Sequence, residues 1–220
     1  LAGVMTPNGT IYIAINDTLS TSSGLIVRKS TDNGSTWTTH TNSITNRLHF
    51  PRIEMIATSN DSVFCWLLSN LRVYRWNIMT NAIKAYDSTN VNDFDIAKSS
   101  TNSIYLWITT ETGGLRRFGS TDFGWTWMNP GYVQATSKNI RLSMSGSGDT
   151  LYGVYRSYLN PVLEKSIIRA TRYRESAPGT LSTISGAFLN VTDSSEIKTE
   201  FDIAAVNGSA WFFYTQGTSG

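Results

Sequence analysis

Read for hydrophobic and polar positions, the chain repeats one short pattern five times. The segments Thr10-Ile11-Tyr12-Ile13-Ala14-Ile15, Ser62-Val63-Phe64-Cys65-Trp66-Leu67, Ser103-Ile104-Tyr105-Leu106-Trp107-Ile108, Thr150-Leu151-Tyr152-Gly153-Val154-Tyr155 and Ser209-Ala210-Trp211-Phe212-Phe213-Tyr214 share it. Each runs Ser or Thr, apolar, aromatic, any residue, then two apolar or aromatic positions. Their starts lie 52, 41, 47 and 59 residues apart, the period of a blade-sized repeat. A run that is apolar at odd and even positions alike predicts a strand covered on both faces.

Turn chemistry precedes every one of these strands: Pro7-Asn8-Gly9, Asn60-Asp61, Thr101-Asn102, Gly146-Ser147-Gly148-Asp149 and Asn207-Gly208. Ahead of the turns stand Ala2-Gly3-Val4-Met5, Glu54-Met55-Ile56-Ala57, Phe94-Asp95-Ile96-Ala97, Arg141-Leu142-Ser143-Met144 and Phe201-Asp202-Ile203-Ala204. Each unit therefore opens with a strand A and a strand B.

Strands C and D follow. In the first unit they are Gly24–Lys29 and Thr36–Thr39, in the third Gly114–Gly119 and Thr126–Met128. The second has Leu71–Trp76 and then an ordinary turn at residues 77–81, and the fourth Lys165–Ala170 and Thr180–Ile184. The fifth has only A and B. Helical periodicity of useful length is absent.

Between C and D an eight-residue stretch occurs twice, Ser30-Thr31-Asp32-Asn33-Gly34-Ser35-Thr36-Trp37 and Ser120-Thr121-Asp122-Phe123-Gly124-Trp125-Thr126-Trp127. Asp32 and Asp122 are placed to accept hydrogen bonds from their own turn. Gly34 and Gly124 fall where a positive φ is needed, and Trp37 and Trp127 open the outgoing strand as apolar plugs against a neighbouring sheet. Both stretches resemble the Asp box, or BNR repeat, of sialidases, sortilin-type receptors and other β-propellers. The resemblance implies an all-β fold: a β-propeller of four-stranded antiparallel blades at about 1–48, 49–90, 91–136 and 137–190, with a partial fifth at 191–220. It also implies a single segment of a larger propeller. In that family the boxes lie on the outer rim, which makes Ser30, Asp32, Gly34, Thr36, Trp37, Ser120, Asp122, Gly124, Thr126 and Trp127 structural.

Composition narrows the setting. Only 15% of the 220 residues are charged and the net charge is +2, while Ser and Thr supply about a quarter of the chain and keep the surface polar. No basic run marks a phosphate-binding patch, which argues against a nucleic-acid partner. No apolar stretch approaches the ~20 residues that span a bilayer. The start at Leu1 fits either a removed leader or an excised piece of a longer chain. Cys65 is the one cysteine and sits among apolar neighbours, as a buried thiol would. Low charge, abundant Ser, Thr and Asn, and many aromatics suggest an extracellular or cell-surface protein, and the absence of disulfides points to a bacterial source; the six N-x-S/T sites are close to the number chance gives at this composition.

Propeller sites lie where the innermost strands meet the central channel. Aligning the A strands on Ile56, Ile96, Met144 and Ile203 puts Met55 and Ile53, Asp95 and Asp93, Ser143 and Arg141, and Asp202 and Glu200 on one strand face. Two of Asp93, Asp95, Glu200 and Asp202 could act as acid and base in glycoside hydrolysis, with Arg141 nearby. Equally, the same residues could line a hydrated channel.

Sialidases carry an arginine triad, an F/Y-R-I-P motif and a Tyr/Glu nucleophile pair. Phe50-Pro51-Arg52-Ile53 has those letters out of order, so sialidase activity is not transferred, and Arg52 reads as a strand-entry residue paired with a carboxylate. No metal set is readable with His40 and His49 alone, no G-x-S-x-G elbow occurs, and no cofactor motif is present. Trp125, Tyr132, Tyr155 and Tyr158 could stack on sugars or anchor a partner, or pack between blades. The favoured expectation is a non-catalytic binding scaffold for a glycan or protein within a larger secreted or surface protein; the alternative is a glycoside hydrolase completed by missing blades.

Overall fold

The computed structural model describes residues 1–17, 24–40, 50–58, 62–86, 90–110, 114–134, 142–147, 149–160, 165–183, 189–190, 197–206 and 209–217. All regular elements among the described residues are β-strands. The chain divides into two compact units, Leu1–Thr89 and Asn90–Gly220.

In the first unit, β1 (Ala2–Met5), β2 (Ile11–Asp17), β3 (Gly24–Ser30) and β4 (Thr38–Thr39) form one antiparallel sheet in sequence order. A second follows from β5 (Arg52–Ala57), β6 (Val63–Ser69), β7 (Arg72–Asn77) and β8 (Ala82–Ala85). The second unit opens with β9 (Val91–Lys98), β10 (Ile104–Thr110), β11 (Leu115–Ser120) and β12 (Met128–Gln134). Its next sheet comprises β13 (Leu142–Ser147), β14 (Thr150–Asn160), β15 (Lys165–Ala177) and β16 (Thr180–Thr183), and β17 (Leu189–Asn190) adds a fifth strand against β15. The last two strands, β18 (Ile197–Val206) and β19 (Ser209–Gly217), pair only with each other.

Within each unit the sheets stack face to face. In the first, Tyr12, Ala14, Leu25 and Val27 of sheet 1 share a core with Ile53, Met55, Ala57, Val63, Cys65, Leu67 and Trp76 of sheet 2. In the second, Ala97, Tyr105, Trp107 and Leu115 of sheet 3 meet Leu151, Tyr155 and Tyr173 of sheet 4. The other face of sheet 4, with Val154 and Ile168, packs on Ile203, Phe201 and Phe212 of sheet 5. The first strand of each sheet lies beside its neighbour's first strand, β1 by β5, β9 by β13 and β13 by β18. Strands β6 and β10 are buried at every position, in keeping with their largely apolar sequences.

The structure moves several expected boundaries. The strand after the first eight-residue turn begins at Thr38 and the one after the second at Met128, because the turn's hydrogen bonds hold residues 36 and 126 outside the ladder. Trp37 is exposed and folds back on its own turn, its Nε1–H donating to Gly34 O at 2.9 Å. Trp127 is half-buried and meets Phe118 of its own sheet edge-on at 6.5 Å between centroids. Trp37 therefore does not serve as a buried plug. Cys65 is fully buried, and burial pushes its thiol pKa up and out of reach of ionisation.

Candidate functional site

The repeated turns are closed systems. In the first, Ser30 Oγ–H donates to Asp32 Oδ1 at 2.7 Å and accepts from Gly34 N–H at 2.9 Å. Asp32 in turn accepts from Thr36 N–H at 2.9 Å and Thr36 Oγ1–H at 2.6 Å. The second copy repeats these bonds through Ser120, Asp122, Gly124 and Thr126, and Trp125 N–H adds a bond to Asp122 at 3.0 Å. Gly34 and Gly124 take φ of 88° and 76°, and the residues before them, Asn33 and Phe123, take 56° and 55°. Two consecutive left-handed residues make the turn tight.

Donation by the Thr36 hydroxyl and amide, then by Ser30, holds the Asp32 carboxyl down at about 2. For Asp122, burial pushes upward, but the Thr126, Ser120 and Trp125 donors outweigh it and the net displacement is downward. These carboxylates serve the turn. In sheet 2, where the motif is gone, Asn77 Oδ1 substitutes by accepting from Met79 and Thr80 N–H at 2.9 and 3.3 Å.

The first strand of each sheet carries the more open polar groups, and the structure corrects their alignment by one residue. The turns Thr58–Ser62 and Ser99–Ser103 close with the same bond, residue 58 or 99 N–H to residue 62 or 103 O at 2.9 Å. Phe64 pairs with Ile56 and Tyr105 with Ala97. Ile56 therefore corresponds to Ala97, not to Ile96, and a shift of one residue exchanges the faces of a strand. Ile53 and Met55 point into the core of the first unit. Arg52 and Glu54 hold the places that Asp93 and Asp95 hold in β9. These are the functional candidates that the sequence alignment missed. Arg52 Nε lies 2.8 Å from Glu54 Oε1, both side chains partly exposed, so the expected pairing of Arg52 with a carboxylate is present.

Asp202 matches Asp95, since Trp211 pairs with Ala204 as Tyr105 does with Ala97. Asp93 and Asp95 are buried and Asp202 is exposed. Each carboxylate accepts from the next residue's N–H: Asp93 from Phe94 at 3.0 Å, Asp95 from Ile96 at 2.6 Å and Asp202 from Ile203 at 2.8 Å. β9 and β18 lie at sheet edges, where alternate backbone N–H groups have no strand partner. The aspartates supply one. Arg141 lies outside the described residues, as do the side chains of Glu200, Ser143, Tyr132 and Tyr158; Glu200 itself falls in β18 beside an irregularity between Lys198 and Phe201. Of the aromatic candidates, Trp125 is exposed and Tyr155 is buried in the core between sheets 3 and 4.

A hydroxyl–carboxylate pair exists elsewhere. Tyr105 OH donates to Glu175 Oε1 at 2.6 Å, Thr101 Oγ1–H to Glu175 Oε2 at 2.7 Å, and Gly179 N–H to Glu175 Oε1 at 3.1 Å and Ser103 Oγ at 3.0 Å. Burial first, then the bond to Glu175, pushes the Tyr105 phenol far up, which keeps it protonated. Burial also opposes ionisation of Glu175, but its Ser103, Tyr105, Thr101 and Gly179 donors win and its pKa falls. The pair sits at the end of β10 opposite Asp93, since Ile104 pairs with Lys98 and Thr109 with Asp93. It ties the β15–β16 turn to sheet 3, and a protonated, buried phenol is no nucleophile.

No family model matches the chain and no curated protein matches it. Solved structures do share its fold. A PL25 ulvan lyase bound to a GlcA–sulfated-rhamnose ligand aligns over 92% of this chain and 57% of its own, with TM-score 0.57 and 9% identity. An intramolecular trans-sialidase from Ruminococcus gnavus aligns over 88% and 46%, with TM-score 0.57 and 12% identity. The leech intramolecular trans-sialidase aligns over 88% and 33%, with TM-score 0.60 and 13% identity. The chain thus spans about half the length of the first structures it resembles.

Proposed function

We propose that this chain is part of an Asp-box β-propeller that binds carbohydrate without transforming it, as a scaffold within a larger secreted or surface assembly. The sheets are its blades and the first strands line its channel. The binding positions are polar residues of those strands, Arg52 and Glu54 in the first unit, and Asp93, Asp95 and Asp202 in the second; Arg141, Ser143 and Glu200 join them as candidates on sequence alone. The observation that carries the non-catalytic reading is that each described carboxylate has an oxygen already engaged, Asp93, Asp95 and Asp202 through Oδ1 with the next residue's N–H and Glu54 through Oε1 with the Arg52 guanidinium. A general acid or nucleophile needs an oxygen aimed at substrate. Carboxylates outnumber arginines in this set, which favours hydroxyl-rich neutral sugars over anionic ones, since carboxylates accept from hydroxyls and repel like charge.

Likeness in fold to a polysaccharide lyase and to trans-sialidases supports a carbohydrate ligand. It also keeps a second reading alive, a glycosidase using Asp93 and Asp95. A glycan array with the 220-residue chain, followed by a panel of neutral oligosaccharides assayed for reducing-sugar release, separates the two. Binding without release is expected. Release that disappears in Asp93→Asn or Asp95→Asn would replace the scaffold reading by the enzymatic one, and an empty array would remove both.

A further inference from the structure

The left-handed corner of the first eight-residue turn is held by Asn33, followed by Gly34. Asparagine is among the residues with a side chain that enter a positive φ most readily, which explains its presence there. Phe123 takes the same corner of the second turn at φ 55°, so the turn sets the conformation and the side chain only accepts it. Asn33 brings a chemistry that Phe123 lacks.

An asparagine amide followed by glycine is open to attack by the next backbone nitrogen, because glycine places no side chain in the way. Gly34 N gives its proton to hydroxide and bonds to Asn33 Cγ, the Cγ–Nδ2 bond breaks, and ammonia leaves a five-membered succinimide. Water then opens the ring at either carbonyl, giving aspartate or isoaspartate. Isoaspartate routes the backbone through the former side chain and lengthens it by a carbon, which a turn closed by short hydrogen bonds does not accommodate.

Asn33 is exposed, so solvent reaches it. The closed turn nonetheless opposes the reaction. Gly34 N–H is already donated to Ser30 Oγ at 2.9 Å. Gly34 O accepts from Trp37 Nε1–H at 2.9 Å, which pins the same residue from its other end. At φ 56° Asn33 is left-handed, where ψ is roughly +30 to +60°, and that rotation carries Gly34 N to the far side of the Cα–C bond from the Asn33 side chain. Ring closure needs the two on one side. The bonds made by Ser30 and Trp37 must therefore break first.

We propose that Asn33 is a guarded deamidation site: the closed turn blocks succinimide formation, and opening it exposes Asn33-Gly34 to an irreversible step. The rate at Asn33 is then the reactivity of the open turn multiplied by the population of that open form. Trp37 belongs to the guard, which gives its exposed indole a role outside the core. A second such dipeptide, Asn8-Gly9, stands in the β1–β2 turn, where the positive φ of 85° falls on the glycine and not on the asparagine.

The test is peptide mapping for aspartate and isoaspartate at residue 33 while the 220-residue chain is stored in mildly alkaline buffer, native or unfolded in urea. Asn33 is expected to react at least about tenfold more slowly in the native chain. Ser30→Ala removes the acceptor of Gly34 N–H and the donor to Asp32, and should speed the reaction in the folded chain by about fivefold to thirtyfold. Trp37→Phe keeps an aromatic ring, loses the N–H, and should speed it by a smaller factor. Asn8-Gly9, read in the same digests, reports any general loss of fold, and its rate should stay unchanged in both variants. Equal rates at Asn33 in native and unfolded chains overturn the proposal. So does an unchanged rate in both variants, which would put the protection outside the turn, and so does acceleration of Asn8 in step with Asn33, which would make the whole sheet the guard.

Discussion

At the scale of single residues, the most informative groups are carboxylates that answer to the backbone. Ser120 is buried and its Oγ takes the N–H of the buried Gly124. Ser120→Ala orphans that donor and is expected to cost about 1–3 kcal/mol in urea unfolding. Asp32 is solvent-facing, so its depressed pKa reads as pH dependence alone. With a folded value near 2 against an ordinary 3.8, its contribution is complete above about pH 4 and is lost as pH falls through 2. Asp32→Asn should flatten that acid limb. Glu175 is displaced in the same direction and steepens the same limb. Tyr105 behaves oppositely at the alkaline end. Its phenol titrates higher in the folded state, so its contribution is whole below its ordinary pKa of 10.0 and declines as pH rises beyond it. Tyr105→Phe removes one charge-assisted bond to Glu175, and a loss of about 1.5–3 kcal/mol is expected.

At the scale of elements, close approach decides as much as hydrophobicity. Gly153 on β14 lies under the Trp107 ring, and an added Cβ would overlap that ring. Gly153→Ala should therefore lower stability by about 1–3 kcal/mol, measured by thermal or urea unfolding, although alanine suits a strand better than glycine. The order of strands in each sheet and the pairing of the last two were legible from the five stacked segments, because a strand buried on both sides has an unbroken apolar run. Strand faces were not. The dipeptide Ile-Ala at Ile56-Ala57, Ile96-Ala97 and Ile203-Ala204 draws Ile56 onto Ile96, yet the turn hydrogen bonds place Ile56 level with Ala97. Hydrophobic identity carries no information about face when both faces are apolar. The tie from Tyr105 to Glu175 spans 70 residues, and no local pattern announces a contact of that range. Trp37 misled because tryptophan after a turn reads as core, whereas its indole N–H was needed by Gly34 O.

At the scale of the whole molecule, the same sheet is used repeatedly, and function has to reside in what the repeats do not need for folding. The eight-residue turns spend their polar atoms internally. The strand openings of sheets 2, 3 and 5 differ in charge while keeping one register, and the proposed ligand role rests on them. The distinction is open to one direct measurement, titration calorimetry of the strongest neutral glycan from the array against the native chain, Arg52→Ala and Asp122→Asn. Arg52→Ala should weaken binding by about tenfold or more, the equivalent of one lost polar contact, while Asp122→Asn should lower the unfolding midpoint and leave the dissociation constant within about twofold. Unchanged affinity in Arg52→Ala, with loss of affinity in folded Asp122→Asn, would contradict the account.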